Sequence, residues 1–113
     1  MGANGRVRHF KSVQAGSTVI VGGINPIDIA VAELANTTAA IAYLQIFWKA
    51  AADVTLGTTV ADVVIGLPAS GGAVLHFEGE GWHTGGTAWS FAGTTTRTGS
   101  TQALVDVAIW EKA

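Results

Sequence analysis

The chain has 113 residues, the size of one domain, and no cysteine, which excludes disulfides, thiolate metal sites and a cysteine nucleophile. Only 12% of its residues are charged while 49% are hydrophobic, whereas an average soluble domain carries about 25% charged residues. Because charge keeps a free surface soluble, we expect part of this surface to be covered by other protein molecules.

The charge is unevenly distributed, and the beginning of the chain is basic. Arg6, Arg8 and Lys11 precede all eight acidic residues. Three cations without a long Lys/Arg run are a weak footprint for nucleic-acid binding. We therefore predict that residues 1–16 form a basic N-terminal arm, either solvated or docked on protein, and we expect no nucleic acid as a partner.

Side-chain alternation predicts the first strands. Ile27, Ile29 and Val31 recur with the period of a β-strand. Residues 39–48 are apolar on both faces, which is typical of a central strand whose outward side is also covered. A buried helix has the same appearance, but β-branched and aromatic content favours the strand. Residues 49–53 are helix-prone but too few for a stable helix, so we expect a turn or a short helical loop there.

In the second half of the chain, glycines recur at short intervals between short segments. We predict strands within residues 60–65, 73–77 and 87–92. Residues 103–110 alternate between a Val/Ile face and a mixed face and predict a terminal strand. Short strands between glycine turns, without an amphipathic helix, indicate an antiparallel sandwich or barrel. We assign this single domain to residues 17–113.

Several short motifs follow one another through the last two-thirds of the chain. They are Asn36-Thr-Thr-Ala-Ala, Tyr43-Leu-Gln-Ile-Phe47, Thr55-Leu-Gly-Thr-Thr59, Ile65-Gly-Leu-Pro-Ala69, Leu75-His-Phe77, Gly81-Trp-His-Thr-Gly85 and Leu104-Val-Asp-Val107. Their order and spacing resemble small structural proteins of tailed-phage virions. The resemblance implies a capsid decoration or cement protein, or less often a tail or fibre component. Together with the strand pattern, the resemblance implies an all-β fold: an antiparallel β-sandwich of jelly-roll type, with about eight short strands and an N-terminal arm.

This resemblance implies action by binding. The partners would be the major capsid protein of a phage head and further copies of the chain, as a homotrimer or a homodimer, since icosahedral shells offer both symmetries. We expect Arg6, Arg8 and Lys11 to dock on an acidic capsid surface. The protein would be made in the host cytoplasm and reside on the capsid surface of the virion. No stretch approaches the roughly 18 apolar residues of a membrane helix, so we expect no membrane partner.

Aromatic residues are the candidates for the core or for an interface between subunits, because they supply much of the buried area that a charge-poor sandwich requires. The candidates are Tyr43, Phe47, Trp48, Trp82, Trp89 and Trp110. An alternative stays open, in which Tyr43, Trp82 and Trp89 stack on sugar rings. The chain would then be a tail- or fibre-associated module that binds a receptor or carbohydrate.

Signals for catalysis or metal binding are weak. His76, Glu78 and Glu80 would share one face of a strand, with His83 close by, but we interpret them as a solvent-facing strand and turn and predict no metal. The sequence has neither a GxSxG nucleophile motif nor a phosphate-binding glycine loop. We therefore predict that the protein is not an enzyme and binds no cofactor.

Overall fold

The computed structural model describes residues 7–12, 21–23, 28–76, 82–83 and 88–111, and the side chains of residues 32–76 and 88–110. These residues contain nine strands, seven of them with at least five residues, and one 3₁₀ helix, Ala51–Asp53. The strands are β1 (Val7–Ser12), β2 (Val21–Gly23), β3 (Asp28–Asn36), β4 (Ala42–Phe47), β5 (Val63–Leu67), β6 (Gly72–His76), β7 (Trp82–His83), β8 (Trp89–Thr94) and β9 (Val105–Glu111).

The strands form two antiparallel sheets that pack on one core. The five-stranded sheet has the order β1-β9-β3-β6, with β7 also paired to β3, and the four-stranded sheet has the order β2-β8-β4-β5. Their facing residues are buried together: Ala32, Leu34, Ala42, Leu44, Ile46, Leu67, Trp89, Phe91, Val105, Val107 and Ile109. The all-β prediction and its two sandwich-like layers are confirmed.

The strand pattern of the sequence explains why β9 and β4 lie where they do. The Val/Ile face predicted for the last strand is the core face of β9, where Val105, Val107 and Ile109 are all buried. β4 lies between β8 and β5, as expected of a central strand. The 3₁₀ helix confirms the short helical loop. The structure places β5 and β8 about two residues later than the predicted segments at 60–65 and 87–92.

The outer face of the four-stranded sheet is covered by the chain's own connections. Phe47 and Ala92 project from it and pack against Val54 and Leu56 in residues 48–62, forming a second buried cluster. Beside this cluster, Gln45 is 1% exposed, and its amide nitrogen Nε2 donates to the hydroxyl of Thr94 at 2.9 Å. β4 is therefore buried on both faces, as its apolar sequence predicts.

The beginning of the described chain belongs to the five-stranded sheet. β1 pairs with β9 along its whole length, from Val7 opposite Trp110 to Ser12 opposite Val105. Residues 7–12, which fall within the predicted N-terminal arm, are therefore an edge strand of this sheet. The predicted boundary at residue 16 lies outside the described residues.

A buried asparagine connects two of the places where the chain crosses between the sheets. Asn36 ends β3 and is 1% exposed. Its Nδ2 donates to the carbonyls of Ala40 at 2.9 Å, Pro68 at 2.9 Å and Leu67 at 3.3 Å. Its Oδ1 accepts from the backbone N–H of Thr38 at 3.0 Å and from the Thr38 hydroxyl at 2.7 Å. One side chain thus fixes residues 37–41 and the turn between β5 and β6.

We expect Asn36→Ala to lower the free energy of unfolding by about 2–4 kcal/mol, because it leaves buried carbonyls and an N–H group without partners. Urea denaturation followed by tryptophan fluorescence measures this loss. Thr37→Ala, at the exposed neighbouring position, is the control and should change stability by less than about 0.5 kcal/mol. A loss below about 1 kcal/mol for Asn36→Ala would contradict the role of this amide.

Candidate functional site

The outer face of the five-stranded sheet is the candidate functional surface. It carries a shallow depression of about 270 Å³ over β3, β6 and β9. The side chains on that face are Glu33, Ala35, Val74, Asp106 and Ala108, with Gly72 at the edge. We call this feature the outer depression. Its small residues create the space, and its two carboxylates give it negative charge.

Strand pairing positions these residues. Antiparallel partners share a face of a sheet, and Glu33 lies opposite both Val74 on β6 and Ala108 on β9. Ala35 likewise lies opposite Gly72 and Asp106. The depression therefore consists of two adjacent rows across three strands. A partner could recognise the outer depression by its shape and by its charge.

A glycine forms one wall of the outer depression. A Cβ atom built on Gly72 would collide with the carbonyl oxygen of Leu34 on the neighbouring strand. β6 therefore approaches β3 more closely here than a residue with a side chain would allow. The sequence shows this glycine only as one of many turn signals, because the close approach depends on a strand almost forty positions earlier.

The two sheets leave an apolar opening along the edge where β5 and β6 lie. The half-buried side chains there are Trp48, Val63, Ile65, Ala73 and Leu75, and we call them the edge slot. The cavity behind the slot measures about 20 Å³, room for no more than one water molecule. Among the described residues, the space between the sheets behind this slot is thus a packed core.

The structure separates the predicted aromatic residues. Trp89 is 2% exposed and stacks on Phe91 in the core, with ring centroids 5.5 Å apart. Phe47 is fully buried in the second cluster. Tyr43 is half-buried on the outer side of the four-stranded sheet, with the Arg97 guanidinium carbon 5.7 Å from its ring centre.

The other aromatic candidates lie at the sheet margins. Trp48 is half-buried, and its backbone N–H donates to an Asp62 carboxylate oxygen at 2.7 Å. Trp110 is half-buried on β9. Trp82 belongs to β7 and lies opposite Ile29, and its side chain lies outside the described residues. The six aromatics therefore do not form one patch in the described structure.

The predicted docking cations are only partly described. In β1, Arg8 lies opposite Ile109 and Lys11 lies opposite Asp106. Arg6 lies outside the described residues. Lys11 thus shares a row with the outer depression, whereas Arg8 shares a row with a core position of β9.

The remaining candidates concern metals and membranes. Glu78 and Glu80, from the weak metal signal, lie outside the described residues. In the part of the chain that the structure does describe, no group of three or more His, Asp or Glu side chains is placed to hold a metal ion. That same part contains no helix with the length and hydrophobicity to cross a membrane.

Comparison with known proteins gave no match. No family model matches the chain, and neither a curated protein nor a solved structure matches it.

We expect Gly72→Ala to lower the free energy of unfolding by about 1–3 kcal/mol, because the new methyl group overpacks against the β3 backbone. Gly66→Ala on β5 is the matched control, since its Cβ would lie 3.3 Å from the Tyr43 ring, which can turn aside. That control should stay within about 0.5 kcal/mol of the unmodified protein. Equal urea midpoints for the two variants would refute the tight contact at Gly72.

Proposed function

We propose that the chain is a structural protein of a tailed-phage virion that decorates the head and cements its capsid lattice. The observation that carries this proposal is the exposed outer face of the five-stranded sheet. The chain covers the outer face of its other sheet with its own loops, but over the outer depression the described residues leave aliphatic and small side chains open. A cement protein requires such a face, since it adds interface area between capsid subunits.

A jelly-roll fold is part of the proposal. The strand pairs β4–β5, β3–β6, β2–β8 and β1–β9 are nested one inside the next. Nested pairs of this kind arise when one long hairpin rolls up into two sheets, as in an eight-stranded jelly roll. The two-residue strand β7 is then an addition to the pattern. This nesting supports a jelly roll over other two-layered β folds.

Attachment would use the basic residues at the start of the chain. Lys11 lies in β1, opposite Asp106 of the outer depression, and it would contact a neighbouring capsid subunit. The major capsid protein would supply the acidic surface, and the protein would act at the capsid surface without catalysis. Further copies of the chain would complete the assembly.

Sugar binding by stacked aromatics finds less support. A stacking platform requires rings that solvent can reach, and Trp89 is 2% exposed. Tyr43 is half-buried and already lies against Arg97. The side chain of Trp82, the third stacking candidate, lies outside the described residues, so the support against sugar stacking comes from Trp89 and Tyr43.

Neutralising the basic residues tests the attachment. We expect the combined variant Arg6→Gln, Arg8→Gln and Lys11→Gln to bind about tenfold more weakly to heads of the encoding phage prepared without this protein, since each lost charge pair contributes up to about 1 kcal/mol. Co-sedimentation with the heads measures binding. Substitution tests the charges alone, whereas deletion of these residues would also remove β1 and expose the edge of β9.

The control is Lys49→Gln, which removes an exposed cation elsewhere in the chain and should leave head binding unchanged. Circular dichroism should show the same β-sheet spectrum for all variants. Equal binding by the triple variant would refute the basic docking site. Failure of the unmodified protein to bind heads would refute the decoration function itself.

A further inference from the structure

β6 presents an unused backbone edge. Among the described residues it pairs with β3 alone. In an antiparallel ladder, opposite residues alternate between hydrogen-bonded and non-bonded pairs. The bond from Asn36 N–H to the Gly71 carbonyl, at 2.7 Å, shows that this pair is a bonded one, so the next pair, Ala35 and Gly72, is not. Ala73 and Leu75 therefore face β3 with their backbone groups. The N–H and C=O groups of the strand's other residues, Gly72, Val74 and His76, point away from the sheet.

The β6 strand itself carries none of the sequence features that usually protect an edge against pairing. Natural edge strands are blunted by charged residues, proline or bulges, and β6 has the sequence GAVLH, without any of these. The opposite edge of the same sheet, β1, contains Arg8 and Lys11. Val74, at the centre of β6, is 55% exposed.

The edge slot lies on the same side of the molecule, since a short turn joins β5 to β6. Its Ile65 and Leu75 point toward the core but are only half-buried. The unpaired backbone groups of β6 and the half-buried core side chains of the edge slot therefore lie along the same edge of the molecule. A partner that extends the five-stranded sheet past β6 would also cover this slot.

We propose that the partner is a second copy of the chain, whose β6 pairs antiparallel with this β6 about a two-fold axis at Val74. In this register Val74 faces Val74 of the second copy, and Gly72 faces His76 of the second copy. Each of these residues then exchanges both of its free backbone groups with the residue opposite. The proposal rests on the self-association part of the proposed function and is independent of attachment to a head.

Side-chain size and charge fit this self-pairing. The register places His76, the largest side chain on this face of β6, opposite Gly72, which has none. The imidazole of the second copy would extend over Gly72 toward the outer depression, where Glu33 and Asp106 provide carboxylates. At the axis, two β-branched valines face each other, a favourable cross-strand pair. No like charges meet in the register.

Sedimentation equilibrium of the unmodified protein at micromolar concentrations tests the pairing first. We expect a mass twice the chain mass of 11.5 kDa. Val74→Lys should give the single-chain mass, because two lysines would meet at the axis. Val74→Thr keeps the branched shape and should stay dimeric. Val74 is exposed and its backbone groups do not bond β3, so both variants should keep the β-sheet spectrum.

A cysteine cross-link tests the register. The chain has no cysteine of its own. In the proposed register the two Cα atoms at position 74 lie about 5.5 Å apart, within the range that a disulfide bridges. Val74→Cys should therefore form a covalent dimer under mild oxidation at least about tenfold faster than Val60→Cys, whose position is 85% exposed on a loop.

An unmodified protein that stays monomeric would overturn the proposal. So would a dimer that persists with Val74→Lys, or equal cross-linking rates for the two cysteine variants. Head attachment is scored separately by co-sedimentation. A dimer that fails to bind heads therefore contradicts the decoration function and leaves the β6 pairing supported, whereas a monomer that binds heads does the reverse.

Discussion

The amide of Asn36 is the interaction on which the arrangement of the sheets depends. The chain passes from the five-stranded to the four-stranded sheet through residues 37–41 and returns through the turn between β5 and β6. Asn36 bonds the first connection at Ala40 and the second at Leu67 and Pro68. A buried amide is stable only when its donors and its acceptor have partners, so these bonds restrict how the two connections pass from one sheet to the other. That restriction contributes to the relative position of the sheets.

That restriction also determines which strands become edges. Once the β5–β6 turn is held against the end of β3, β5 and β6 are the last described strands of their sheets on that side. Leu67, beside the amide, is 1% exposed, whereas Ile65 on the same strand is only half-buried. The core is therefore closed at the Asn36 end of this edge and opens along the edge slot. The β5–β6 turn, which Asn36 binds, thus also places β6 at the edge of its sheet, where Val74 is exposed.

Local patterns in the sequence predict the strands but not the contacts between distant segments. Val105, Val107 and Ile109 reveal a buried face because alternation is a property of neighbours. Two of the partners of Asn36, Leu67 and Pro68, lie about thirty residues away, and nothing in Asn36-Thr37-Thr38 indicates more than a turn. The basic residues of β1 also fit two structures, since a charged edge strand and a solvated arm have the same composition. The sequence therefore predicts an arm where the structure has a strand. Pairing with β9 distinguishes the two, and only the fold supplies it.

Low charge acquires a more specific meaning from the structure. The composition suggests a surface covered by partners, yet part of the apolar content is buried internally, where Phe47, Val54 and Leu56 add a third layer outside the four-stranded sheet. The fold thus requires less external cover than the composition alone implies. The exposed large aliphatic side chains of the described residues are Ile41, Val60 and Val74. Of these, Val74 lies on β6 beside the edge slot, next to a depression with two carboxylates. In the proposed pairing, the side chains along the edge favour one register over general adhesion, because Val74 faces Val74 and His76 faces Gly72 in that register.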